Sequence, residues 1–325
     1  MRAVVLRAHG GTEVLTIEDA PDPIPGSDEI QVDVVASAIN RADLLQRMGF
    51  YPPPFPEELE IPGLEYAGIV SARGARAKLF EVGDAVMGIV AAGGYASRLA
   101  VHERQAMAVP TGLAVADAAA VPEVFLTAWD ALVVQGGLTS GRWALVHAGA
   151  SGVGTAAIQI AKAIGARIAV TCSAGKADAC RALGADLVVE RSPHDWLADA
   201  TAAVPGGFDV IIDVIGGEET ARNIAAATIK GRIIQVGLMA GGTTPVDLGM
   251  VLRKRLAIIG TALRSRALEE KVALTQRFVA EMLPLFTTGQ LRPVIDSRFA
   301  LADVAAAHDR MAANANTGKI LLDIA

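Results

Sequence analysis

The spacing of apolar and polar positions changes character twice along the chain. In the first third, Ile30-Gln31-Val32-Asp33-Val34 alternates as a strand with one buried face does, and Tyr95-Ala96-Ser97-Arg98-Leu99-Ala100-Val101 alternates again. Gly68-Ile69-Val70 and Val82-Gly83-Asp84-Ala85-Val86-Met87-Gly88 add strand and turn signals, and prolines crowd residues 21–25, 52–56 and 62, where they forbid long helices. This part predicts a small barrel or sandwich with functional loops. From about residue 115 the pattern shifts. Ala-rich helical stretches at 115–120 and 127–134 lead into apolar runs at 144–148, 167–171, 187–189, 209–214, 232–236 and 256–259. Amphipathic helices are expected between them, around 153–164, 175–183 and 218–228. Unbroken Val/Ile runs are what parallel strands buried on both faces look like, so a six-stranded doubly wound sheet is expected.

The tail changes again. Residues 268–287 predict one long amphipathic helix ended by Gly289, and 301–313 a second helix. Gly318-Lys319-Ile320-Leu321-Leu322 reads as a closing strand able to rejoin the first part. The fold class is therefore α/β, with a β-rich domain built from 1–118 and 265–325 and a doubly wound domain from 119–264. The length of 325 residues suits two domains.

One glycine turn gives this pattern a chemistry. Gly149-Ala150-Ser151-Gly152-Val153-Gly154 follows the apolar run that ends in His147-Ala148 and opens the helix after it. In that setting glycines let the backbone approach a dinucleotide pyrophosphate, and the helix N-terminus offers free N–H groups and a positive dipole end. Ser151 stands at the usual middle glycine, which puts a hydroxyl beside the pyrophosphate or nicotinamide and also suits a helix N-cap. In NAD-binding folds an acidic residue about 20 positions on holds the ribose 2′-hydroxyl. Here the second strand runs into Cys172-Ser173-Ala174-Gly175-Lys176 with no carboxylate. Ser173 and Lys176, with Arg191 after the third strand, would instead welcome a 2′-phosphate, so NADPH is the expected cofactor. Gly216 and Gly237-Leu238-Met239 fall at the carboxyl ends of later strands, where open α/β sheets bind ligands, and Leu263 and Arg264 follow the last one. Asn316 and Lys319, near the closing strand, are further candidates for touching the cofactor.

Composition narrows the alternatives. A net charge of −6 argues against a nucleic-acid binder, which would carry a basic face. No uncharged apolar run reaches the roughly 20 residues needed to span a bilayer, and the N-terminus lacks a signal-peptide core, so a cytoplasmic protein with no membrane partner is expected. Two cysteines, Cys172 and Cys180, read as packing residues. The histidines, His9, His102, His147, His194 and His308, are scattered rather than clustered as ligands.

With these residues in view, the chain resembles the zinc-free medium-chain dehydrogenase/reductases. It is most similar to the NADPH-dependent quinone oxidoreductases, in particular their tumour-suppressor-inducible branch. The resemblance rests on Ser37-Ala38-Ile39-Asn40-Arg41-Ala42-Asp43-Leu44, Gln46-Arg47, Gly49-Phe50-Tyr51, Pro62-Gly63-Leu64-Glu65, the stretch from His147 to Gln159, Gly237-Leu238-Met239, Leu263-Arg264-Ser265-Arg266 and Gly318-Lys319-Ile320. It implies a GroES-like catalytic domain, a Rossmann domain and a homodimer joined through the Rossmann sheets. Zinc relatives carry a catalytic cysteine where Asn40 stands and a histidine where Leu64 stands, and the four-cysteine lobe is missing, so no metal is expected. Where relatives carry a tyrosine or histidine near the adenosine phosphate this chain has Arg191, and Ser173 replaces a family glycine.

The expected reaction is hydride transfer from NADPH to a small-molecule quinone. The protein positions the cofactor and supplies a hydrogen-bond donor at the acceptor oxygen. By resemblance Tyr51 is that donor. Ser151 is a second catalytic candidate, and Asn40 a third, holding ribose or substrate oxygen; Asp43 ranks lower, as a cap for the short helix that follows. A reductase of conjugated carbonyls (an enal, an enone or an enoyl thioester) is the close alternative, with Arg253, Lys254 and Arg255 as a path for a carrier phosphate. A nucleotide-binding regulatory or structural protein is the non-enzymatic one.

Overall fold

The structure, a computed structural model, describes residues 1–54, 59–191 and 195–324. His194, one of the scattered histidines, lies outside the described residues. The chain forms two compact units, one of Met1–Leu126 with Leu263–Ala325, the other of Thr127–Ala262. Leu263 and Arg264, expected to close the nucleotide-binding domain, are instead the first residues of the segment that returns to the first unit.

The first unit begins with a two-stranded antiparallel pair, β1 (Arg2–Leu6) and β2 (Leu15–Asp19). Five strands follow: β3 (Glu29–Ile39), β4 (Glu65–Arg73), β5 (Ala85–Ile89), β6 (Arg98–His102) and β7 (Ala106–Ala108). Alternation sets the buried face of β3, where Ile30, Val32, Val34 and Ala36 point inward. A short helix, α1 (Arg41–Arg47), leaves the end of β3, and α2 (Val115–Ala118) and α3 (Pro122–Trp129) follow β7. The α3 helix opens at Pro122, a favoured first-turn position that the sequence reading passed over.

The second unit carries β8 (Trp143–His147), α4 (Gly152–Ala163), β9 (Arg167–Cys172), α5 (Ala177–Ala182), β10 (Leu187–Glu190), α6 (Trp196–Ala203), β11 (Phe208–Asp213), α7 (Glu219–Ala226), β12 (Ala227–Gln235), α8 (Leu248–Lys254) and β13 (Ala257–Gly260). Its six strands are all parallel and stand in the order β10-β9-β8-β11-β12-β13. Counted within the sheet this is 3-2-1-4-5-6, the Rossmann order, with its switch point between β8 and β11. Ala144, Leu145, Val146, Ile168, Ala169, Val170, Ile211 and Ile212 are fully buried, as continuous apolar strands between two helical layers must be. The sequence reading missed α6 and α8.

The returning segment forms α9 (Leu268–Glu281), α10 (Leu283–Thr287), β14 (Ile295–Ala300), α11 (Val304–Ala312) and β15 (Lys319–Asp323). The long helix expected over 268–287 is broken at Met282, because Pro284 in the first turn of α10 cannot donate to a preceding carbonyl. The closing strand does rejoin the first unit: β15 pairs antiparallel with β3, Ile320 facing Ile39 and Asp323 facing Ala36, and parallel with β14. The sheet then runs β14-β15-β3-β4-β5-β7, with β6 on β3.

Between α1 and α11 the core of this unit holds a polar chain. The Tyr95 hydroxyl donates to Asp43 Oδ2 at 2.9 Å and lies 3.3 Å from His308 Nε2. Burial, reinforced by the charge of Arg47, pushes His308 down to about 3, and burial pushes the Asp43 carboxyl up to about 6. The His308 value lies below that of an unfolded histidine, so its contribution to stability is complete above pH 6.5 and is lost as pH falls toward 3. Asp43 acts in the opposite sense: its value is raised, so stability falls as pH climbs from 3.8 through 6. Replacing His308 by Gln should therefore remove an acid-side loss of about 1.4 kcal/mol per pH unit between pH 6 and pH 4. Urea unfolding of wild type and variant across that range measures it; parallel pH profiles would refute it.

Candidate functional site

In the second unit the glycine turn sits where β8 hands over to α4. Ser151 is the N-cap, its Oγ accepting from the Gly154 N–H at 3.1 Å. Small residues let α4 lie close to the sheet, burying Ala156, Ala157, Ile158, Ile160 and Ala161. A Cβ on Gly149 would fall 2.4 Å from Val170 Cβ, and one on Gly154 2.5 Å from the Ala148 and Gly149 carbonyl oxygens. Both glycines are thus imposed by backbone approach. Ala148 enters the turn at φ +57°, a conformation that costs a non-glycine residue about 1 kcal/mol. Gly149, Ala150, Ser151, Gly152 and Val153 together form a turn whose helix presents its first-turn N–H groups at the carboxyl end of β8. That fits a pyrophosphate.

The other second-unit candidates stand at neighbouring strand ends. Ser173, exposed, directly follows β9, and Lys176, half-buried, closes the short turn before α5. Arg191, exposed, follows β10, and its Nη2 lies 3.5 Å from Glu219 Oε1; Glu219 also accepts from Trp196 Nε1 at 2.8 Å. A contact that long, made by an exposed guanidinium, is worth little and leaves it available to a stronger anion. Gly216 and Gly217, at φ +68° and +56°, turn the chain after β11. Gly237 follows β12, where its carbonyl accepts from Gln235 Nε2 at 2.6 Å, and Leu238 and Met239 beside it are more than half exposed.

The first-unit candidates are placed differently. Lys319, at the start of β15, is buried, and its ammonium donates to the Ile39 carbonyl at 3.1 Å, Asn40 Oδ1 at 2.6 Å and Glu65 Oε1 at 2.7 Å. An ammonium has three protons, and all three are spent. Lys319 is therefore a structural cation, which corrects its assignment to the cofactor. Asn40 is corrected on the same ground. Its Nδ2 protons go to the Ala38 carbonyl at 3.2 Å and Glu65 Oε1 at 2.9 Å, and its oxygen takes Lys319, so it has no amide proton left for a substrate. Asp43, as expected of a cap, accepts from the Asn40 N–H at 2.7 Å and starts α1. Asn316 is buried, its Nδ2 donating to the Gly318 carbonyl at 2.7 Å.

Tyr51 and Arg264 do meet. Arg264 is buried and donates through Nε to the Ala91 carbonyl (2.6 Å), through Nη1 to the Tyr51 carbonyl (2.8 Å) and through Nη2 to Gln46 Oε1 (2.8 Å). Its guanidinium carbon stands 5.0 Å from the centre of the Tyr51 ring. Burial raises the Tyr51 phenol and the Arg264 charge opposes the rise, leaving a protonated O–H donor at neutral pH. Arg264 thus clamps the Tyr51 segment, a role the sequence did not disclose. Leu263, beside it, is half-buried. Among the described residues no three His, Cys, Asp or Glu side chains converge as a metal site would require, and no helix is long and apolar enough to cross a membrane.

Reasoning from sequence also missed His147, Thr171, Asp213 and Asn223, all fully buried. The signal was available for three of them: each is a polar residue at the carboxyl end of the apolar run of a parallel strand.

A Rossmann sheet with an open glycine turn, carried with a GroES-like β unit that closes on its own C-terminal strand, defines a two-domain nicotinamide-dependent oxidoreductase. Comparison with known proteins agrees. Residues 26–127 match the alcohol dehydrogenase GroES-like domain, and residues 152–279 match the family described as zinc-binding dehydrogenase. Human quinone oxidoreductase is 31% identical over 99% of this chain and 97% of its own length. The human synaptic vesicle membrane protein VAT-1 homolog is 29% identical over 99% of this chain and 86% of its own. The crystal structure of Escherichia coli quinone oxidoreductase complexed with NADPH superposes with a TM-score of 0.90 at 28% identity, covering both chains completely. The chain belongs to the medium-chain dehydrogenase/reductase family.

Replacing Lys319 by Met leaves Glu65 buried without its cation and should cost about 3–5 kcal/mol of stability. Affinity for NADPH in the folded fraction should not change. Denaturant titration and fluorescence titration read the two effects separately; weakened binding in a fully folded variant would restore Lys319 to the cofactor.

Proposed function

We propose that this protein is a zinc-independent, NADPH-dependent reductase that delivers a hydride to a quinone. The observation that carries the cofactor preference is the end of β9, where Ser173 and Lys176 stand and no carboxylate does. A carboxylate there would repel a 2′-phosphate, whereas a hydroxyl and an ammonium attract it. The NADPH in the Escherichia coli relative supports the same reading. Zinc independence is supported by the residues themselves: Asn40 Oδ1, its one possible metal-ligating atom, already accepts from the Lys319 ammonium at 2.6 Å, and Leu64 is a buried alkyl group.

Bound NADPH would supply the hydride. The Gly149–Val153 turn would hold the pyrophosphate on first-turn N–H groups, with Ser151 as cap and added hydrogen-bond partner. Arg191 would meet the adenosine phosphate, while Gly216, Gly237, Leu238 and Met239 would line the remaining strand ends. The protonated Tyr51 phenol would donate to the acceptor oxygen as negative charge builds there, held in place by Arg264. The balance is one hydride from NADPH and one proton, ultimately from solvent, added to the quinone to give the neutral hydroquinone, with NADP⁺ released.

The protein is further proposed to work as a homodimer in the cytoplasm. The sheet ends at β13, whose outer edge no strand among the described residues pairs; Leu248 and Leu252 on α8 and Ile258 on β13 are exposed close by in sequence. Light scattering of the purified protein should give twice the chain mass, and a monomer at micromolar concentration would refute this.

A steady-state panel of ortho-quinones, para-quinones, enones and crotonyl thioester, each with NADPH and NADH, tests the central reading. Quinones with NADPH should be turned over best. Lys176→Glu should weaken NADPH binding about tenfold or more and spare NADH. Tyr51→Phe should lower kcat by about 10²-fold with NADPH affinity unchanged. Preference for the thioester would move the assignment to enoyl reduction, and NADPH binding without turnover of any acceptor would make the protein a nucleotide binder.

A further inference from the structure

Beneath the strand ends of the second unit, four fully buried polar side chains form one directed chain of hydrogen bonds. Asp213 closes β11, and its Oδ1 accepts from the N–H groups of Ile215 (2.7 Å) and Gly216 (2.9 Å). Its Oδ2 accepts from Asn223 Nδ2 on α7 at 2.9 Å. A carboxylate can only accept here, so the Asn223 amide must turn its oxygen the other way, toward His147 Nε2 at 2.7 Å. That makes Nε2 the protonated nitrogen. His147 is neutral, because burial holds it below its ordinary value, so its Nδ1 accepts from the Thr171 hydroxyl at 2.9 Å. Each donor and acceptor is thereby fixed from a single buried charge, across three adjacent strands and one helix.

Both ends of this chain are tied to turns. At one end Asp213 holds the amides of the Gly216 turn. At the other, the Thr171 carbonyl accepts from the Gly149 N–H at 2.9 Å, and Gly149 opens the pyrophosphate turn. Packing alone does not call for such an arrangement; apolar residues would fill the same strand positions, as they do at Val146 and Ile212. We infer that Thr171, His147, Asn223 and Asp213 are a positioning relay that sets the Gly149 and Gly216 turns relative to one another for the dinucleotide. The inference rests on the proposal that those two turns hold NADPH.

Thr171→Val removes the first donor, leaves every backbone bond in place and keeps the shape of the side chain. Thr171→Ser restores the hydroxyl. His147→Phe cuts the chain at its centre. In cofactor-free protein, amide exchange at Ile215 and Gly216 should speed up about tenfold in Thr171→Val and return toward wild type in Thr171→Ser. NADPH affinity by fluorescence titration should fall about tenfold in the Val variant, while acceptor KM and kcat at saturating NADPH stay within about twofold of wild type. His147→Phe should show both effects more strongly. Unchanged exchange at Gly216 in a folded Thr171→Val protein would overturn the relay. Faster exchange with unchanged NADPH affinity would overturn its role toward the cofactor. Failure of the wild-type protein itself to bind NADPH would sink the cofactor reading, a result distinct from either of these.

Discussion

The second unit depends on how closely α4 approaches the sheet. Gly149 lies against Val170 and Gly154 against the Ala148 and Gly149 carbonyls so tightly that a single Cβ at either place would overlap them. The form of the turn at the head of α4 follows from that approach. It brings the helix N-terminus to the carboxyl end of β8, orients the first-turn amides outward and forces Ala148 into a left-handed conformation at the entrance. The neighbouring strand ends add a hydroxyl and an ammonium after β9, a guanidinium after β10 and glycine turns after β11 and β12. A parallel sheet places all of these on one edge because every strand points the same way.

The first unit is organised around a charge rather than a steric limit. Glu65 on β4 and Lys319 on β15 are both buried and 2.7 Å apart, and the second carboxylate oxygen of Glu65 accepts from the Glu123 N–H at 2.9 Å. Asn40 completes the cluster from the end of β3. Separating a buried pair leaves an uncompensated charge, so a register that keeps Lys319 against Glu65 is favoured over one that parts them. The same cluster sets the start of α1, which carries Gln46 and leads to Tyr51. Arg264, at the beginning of the returning segment, then grips Gln46 and the Tyr51 carbonyl together. Residues far apart in sequence thus converge on one tyrosine.

Much of this was written locally. Continuous apolar runs gave the parallel strands, and the glycine turn between run and helix gave the candidate pyrophosphate site, because strand burial and helix start depend on neighbours a few positions away. The missing acid after β9 was legible for the same reason. Two helices escaped. The α6 segment has weak periodicity, and α8 is only seven residues long. The helix over 268–287 was drawn too long because its apolar spacing continues through Pro284, where the backbone does not.

What the sequence by itself determined is the order of elements, the six parallel strands, the return of the final strand and the class of cofactor chemistry. These rest on periodicity, turn residues and local charge, all short-range properties. What only the tertiary structure decided is how polar side chains spend their hydrogen bonds. Asn40 and Lys319 read as site residues until Glu65, the Ala38 and Ile39 carbonyls and their own mutual bond are seen to take their protons, and the grip of Arg264 on the Tyr51 segment appears only in the folded chain. The relay from Thr171 to Asp213 joins residues up to 76 positions apart. A donor's partner is set by where the folded chain puts the acceptor, and that distance is not a property of sequence spacing.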